Sequence, residues 1–134
     1  MPLSKSLPDS ELSPDALAVF REMRALRKTD YINNIWRVMA NNPELLRRTW
    51  DQVKAVMKPG AIDAVTKEMI YIAVSAAHQC DYCLHTHTAA ARAKGMTEEM
   101  MGELMAVIAL ASQTNAIATS YQVETDAKYL NPRG

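Results

Sequence analysis

Residues 69–77, MIYIAVSAA, leave almost no polar surface to turn toward water. On composition alone the run fits a buried strand. Two features favour helix: Asp63 stands where an N-cap belongs, and the pattern from 61 to 77 outruns a typical strand. Ile70, Tyr71, Ile72, Ala73, Val74, Ala76 and Ala77 then occupy every side of that helix. A helix apolar all round must be enclosed, by other helices or by a partner chain. Nine methionines, one phenylalanine and only four glycines suit close-packed helices better than a sheet. The expected class is all-α, with six or seven helices.

The remaining segments follow the same logic. Residues 1–12 are polar, carry two prolines and read as a mobile tail, leaving 13–134 as a single domain. Ser13-Pro14-Asp15 supplies a cap, a proline at the first helical position and an early acid. Leu17, Phe20, Met23 and Leu26 follow at helical spacing. A second helix is expected over 31–40, with Ile32, Ile35, Trp36 and Met39 on one face. Asn42-Pro43 opens a third, carrying Leu46, Trp50, Val53 and Met57 and stopping at Lys58-Pro59-Gly60. After residue 83 a helix runs to Gly95, a good residue for a left-handed C-terminus. Thr97-Glu98-Glu99 starts the next, through Ala111, and a last helix is expected from about Ala116 to Tyr129, before Asn131-Pro132.

Charge excludes two classes of partner. Fifteen basic and fifteen acidic residues balance, and no Lys/Arg block creates the field that draws nucleic acid or an anionic membrane. The longest apolar run falls far short of the roughly 20 residues of a spanning helix. The amino-terminal residues lack the apolar core of a secretory signal. The expected setting is the cytoplasm, where two close cysteines point to redox chemistry or metal more than to a structural disulfide.

Those two cysteines and all three histidines fall within ten residues, HQCDYCLHTH, at 78–87. Haem attachment needs a histidine directly after the second cysteine, and Leu84 stands there. Zinc needs four converging ligands. At about 100° per residue His87 stacks one turn beyond Cys83, while His85 points nearly the opposite way. Redox chemistry uses the same geometry: Cys80, Cys83 and His87 share a face at i, i+3 and i+7, and the two-residue spacer lets the sulfurs bond. A helix start favours an anionic sulfur, and His87 at i+4 can take the proton of Cys83. Asp81 opposes a second negative charge. Glu68, at the head of the apolar run, is either a surface acid or a partner for His87. His78 and His85 read as a loop residue and an exposed helix residue, and either sulfur is a possible nucleophile.

Glu68, eleven residues, Cys80-x-x-Cys83, three residues, His87: this arrangement, over 60–115, resembles the alkylhydroperoxidase D-like branch of the carboxymuconolactone decarboxylase superfamily. The resemblance implies an all-helical fold assembling as trimers or hexamers, and thiol-dependent reduction of hydroperoxides without metal or organic cofactor. It implies that Cys83 attacks the peroxide, Cys80 resolves it as a disulfide, and His87 and Glu68 relay the proton. One disulfide's worth of electrons demands an external dithiol, which the resemblance suggests is a lipoyl-bearing or thioredoxin-like protein. Some members carry another histidine between the cysteines, where this chain has Asp81-Tyr82. Rival readings are a non-enzymatic redox sensor, a general disulfide reductase and a lactone decarboxylase.

Overall fold

The computed structural model of the chain describes residues 2–130, and among them there is helix and no strand. By its contacts the chain divides into two compact units, Met1–Lys58 and Pro59–Gly134, where the sequence suggests one domain over 13–134.

In the first unit a short 3-10 helix, Asp9–Glu11, precedes α1 (Pro14–Arg27), α2 (Asn34–Met39) and α3 (Pro43–Met57). Ser13 and Asn42 cap α1 and α3 through the N–H groups of Ala16 and Leu45, each with proline in the first turn. The buried seam of α1 is Ala16, Val19, Phe20 and Met23, at i, i+3, i+4 and i+7. The expected register, with Leu17 and Leu26, is therefore rotated: Leu26 is exposed and the small Ala16 is fully buried. α2 is shorter than the expected 31–40, because Ile32 is buried from the loop before it and Ile35 faces outward. Leu46 and Trp50 of α3 complete the core, Trp50 edge-on to Trp36 at 5.9 Å between ring centroids.

The segment expected as a mobile tail has specific partners. Leu7 donates its N–H to the Arg37 carbonyl and accepts from the Arg37 guanidinium. Asp9 sits between Arg24 (2.7 Å) and Arg37 (3.0 Å), and the Arg24 guanidinium chiefly holds its carboxyl below the usual range against the cost of burial.

The second unit holds α4 (Ala64–Ala77), α5 (Asp81–Ala93), α6 (Glu98–Ser120) and a single turn, α7 (Ala127–Leu130). α4 packs on α5 and α6. Ile72, Ala91, Met96 and Leu104 are buried between them. Asp63 and Thr97 cap α4 and α6 as their sequence positions suggest. The helix expected to end near Ala111 runs on without a break to Ser120. The helix expected from about Ala116 to Tyr129 is not formed as one piece: it stops at Ser120, and only the turn α7 follows. The Ser-Gln-Thr-Asn between Ala111 and Ala116 are modest helix formers, not breakers, and no glycine or proline interrupts them. The stop at Asn131-Pro132 lies outside the described residues.

α4, expected to be enclosed, is open on one side within this chain. It buries Glu68, Ile72 and Ser75, at i, i+4 and i+7, while Ile70, Tyr71 and Val74 are exposed. The half of α6 from 109 to 120 is exposed throughout, although it carries Leu110 and Ile117. Among the described residues no helix is long and apolar enough to cross a membrane.

Candidate active site

Three residues join α4 to α5, and their hydrogen bonds set where the cysteines stand. Gln79 takes a left-handed conformation, φ 57°. Its N–H donates to the Ala76 carbonyl, and the N–H of Cys80 donates to the Ser75 carbonyl at 2.9 Å. This pair of bonds satisfies carbonyls that the end of α4 would leave unpaired. Cys80 then serves at once as the N-cap of α5, its sulfur accepting the N–H of Cys83 at 3.3 Å. α5 thus begins at Asp81, ahead of the start after residue 83 expected from sequence. Cys80 and Cys83 are joined as a disulfide across this first turn, with 5.2 Å between their Cα atoms.

α5 continues on the same face to His87, one turn beyond Cys83. There it meets Glu68 from α4. Glu68 Oε2 lies 2.7 Å from His87 Nδ1, and Oε1 lies 2.7 Å from Lys94 Nζ at the far end of α5. The Glu68 side chain is 5% exposed, so the surface-acid reading of this residue is removed. Burial pushes its carboxyl up. The hydrogen bonds from His87 and Lys94, with the charge of the ammonium, outweigh that cost and hold it below the usual carboxylate range. An ionised carboxylate can only accept, so Nδ1 of His87 carries the hydrogen. Nε2 is left as the nitrogen able to take a proton.

Tyr71, one turn after Glu68, stacks on the His87 ring with 3.6 Å between centroids and 19° between planes. It covers one face of the imidazole. Ser75, a possible relay member by its spacing from Glu68, donates its hydroxyl to the Tyr71 carbonyl and is occupied there.

His78 and His85 stand apart from this group. His78 ends α4, exposed, with Nδ1 2.9 Å from the Val74 carbonyl. His85 is 82% exposed and only 3.6 Å from Asp81, itself 91% exposed. At that exposure solvent screens the Asp81 charge, weakening its opposition to a thiolate. No group of three or more His, Cys, Asp or Glu side chains is placed to share a metal ion among the described residues.

Sequence reasoning brought Glu68, Cys80, Cys83 and His87 together and missed Lys94 and Tyr71. A signal for both existed in the spacing. Lys94 is seven residues after His87 and Tyr71 three after Glu68, so each shares a helical face with a member of the Glu68–His87 pair.

Comparison with known proteins places the chain in a family. Residues 43–125 match the carboxymuconolactone decarboxylase family. A crystal structure described as the alkylhydroperoxidase AhpD core from Rhodospirillum rubrum superposes with a TM-score of 0.94 at 53% identity, over 97% of this chain and 98% of that one. An uncharacterised protein of the cox locus of Paracoccus denitrificans is 39% identical over 56 residues, 42% of this chain. That match spans half the length of the curated relative.

Proposed function

Because the chain belongs to the carboxymuconolactone decarboxylase family, in its alkylhydroperoxidase D-like branch, we propose that it reduces hydroperoxides with the Cys80–Cys83 pair. The observation that carries this reading is the buried Glu68–His87 hydrogen bond one helical turn from the cysteine pair. A carboxylate, an imidazole and a thiol in sequence are what a thiol nucleophile needs to lose its proton and keep the anion.

In this reading His87 Nε2 receives the Cys83 proton, and the ionised Glu68 stabilises the imidazolium through Nδ1. The Cys83 thiolate attacks one peroxide oxygen. A sulfur–oxygen bond forms, the oxygen–oxygen bond breaks, and the leaving alkoxide takes the proton from His87 to become an alcohol. Sulfur has lost two electrons and is a sulfenic acid. The Cys80 thiol then condenses with it, forming the disulfide and releasing water. Two electrons and two protons from an external dithiol, carried by a lipoyl-bearing or thioredoxin-like protein, restore both thiols. The disulfide of the structure corresponds to the end of the oxidative half-cycle. The reducing cytoplasm is the compartment that supplies such a carrier.

The exposed apolar sides of α4 and α6 support assembly of several copies, as a trimer or hexamer, since single chains seldom leave so much apolar helix uncovered. Turnover of an alkyl hydroperoxide by the reduced protein, with a dithiol in excess, tests the proposal. Unchanged turnover in Cys83→Ser would remove it.

A further inference from the structure

Lys94 contacts the buried Glu68, and neither the cysteine motif nor the proposed chemistry uses it. Its ammonium reaches back along α5 to Glu68 Oε1 at 2.7 Å, while the other oxygen is held by His87. The lysine side chain is 38% exposed and the carboxylate it meets 5% exposed, so the ion pair lies at the boundary of the buried site. The backbone that follows Lys94 is tied to the end of the helix. Gly95, at φ 112°, closes α5 with its N–H on the Arg92 carbonyl, and the N–H of Met96 donates to the Ala91 carbonyl.

We infer that Lys94 is a positioning residue of this site: by occupying one oxygen of Glu68 it keeps the carboxylate ionised and commits the other oxygen to His87. The inference rests on the thiol chemistry proposed above for what that commitment serves. Its physical basis is that a carboxylate buried to this degree carries a desolvation cost that one hydrogen bond from a titratable imidazole does not securely offset. A fixed positive charge does.

Among the described residues no other charge is placed to do this. On α4, Lys67 Nζ lies by the Gly60 turn, within 3.9 Å of where a side chain there would begin. On α5, Arg92 is held by Glu98 of α6 at 2.9 Å, and Asp81 and His85 are in solvent. Glu99 and Glu103 of α6 are exposed. His87 and Lys94 are the charged groups acting on Glu68.

The test uses the full-length reduced protein, Lys94→Met and Lys94→Arg, with two readouts that need no peroxide. The first is the carbon-13 NMR titration of the Glu68 carboxyl. The second is the pH dependence of Cys83 alkylation by iodoacetamide. Loss of the charge in Lys94→Met is expected to move the Glu68 titration up by about one pH unit or more, with the acid limb of alkylation following it. Lys94→Arg is expected to return both toward wild type. A Glu68 titration unmoved in Lys94→Met, or a moved titration with an unmoved alkylation limb, overturns the inference. Absence of peroxide turnover in the wild type would instead overturn the proposed function, and leaves these two readouts intact.

Discussion

Glu68 and His87 lie 19 residues apart on two helices, and their side chains meet at 2.7 Å in a site where the carboxylate is almost wholly out of water. The imidazole is thereby fixed in one tautomer, with Nε2 left able to take a proton. Replacing Glu68 by Gln keeps the shape and removes the charge. We expect the single-turnover rate of Cys83 oxidation by a hydroperoxide to fall about 100-fold, the range associated with a lost proton-transfer partner. Rapid quench with alkylation of residual thiols measures it.

Assembly is the prediction most sensitive to the open side of α6. Leu110 is 61% exposed in the single chain, where a surface substitution changes stability by no more than about 0.5 kcal/mol. If copies pack through this helix, Leu110→Glu buries a charge and the assembly dissociates. Sedimentation velocity should show a drop in mass with helicity retained.

The α4–α5 corner and the end of α5 depend on left-handed residues of different cost. Gly95 at φ 112° has open space where a Cβ would stand, so Gly95→Ala tests backbone strain alone and should destabilise by about 1 kcal/mol. At Gln79, φ 57°, the same strain is already present, and Gln79→Gly should be neutral or stabilising by up to about 1 kcal/mol. Urea unfolding of both variants at one pH decides the pair.

An acid-dependent contribution sits in the first unit. Hydrogen bonds from Lys54, then Arg47, bring the Glu22 carboxyl from 4.5 down to about 2. A carboxyl lowered in the folded state stabilises fully above its unfolded value, and that stability is lost as pH falls toward the folded value. Glu22 is one-third exposed, so solvent screening leaves only part of that attraction as stability. Glu22→Gln should therefore unfold more easily than wild type at pH 7, the gap closing between pH 4.5 and about 2.

How far the sequence discloses this molecule depends on the range of the interaction. Cys80, Cys83 and His87 are placed by one helix, so their spacing alone puts them on a face. Asp63, Asn42 and Thr97 bond to N–H groups three residues away and are equally legible. Glu68 is reached across two helices, and only the family resemblance picked it out. The seam of α1 is set by what packs on it, and a small Ala16 proved a better contact than the larger Leu17 or Leu26. The expected break between Ala111 and Ala116 falls on polar residues that α6 carries through in its exposed half, and exposure does not by itself end a helix.

The central claim is that Cys83, served by His87 and Glu68, is the sulfur that peroxide oxidises. Trapping the sulfenic acid with a dimedone-type reagent in Cys80→Ser and in Cys83→Ser, after one equivalent of alkyl hydroperoxide, tests it most directly. We predict a stable adduct on Cys83 in Cys80→Ser and no adduct in Cys83→Ser. An adduct on Cys80 in Cys83→Ser, formed as fast as the other, would contradict the account.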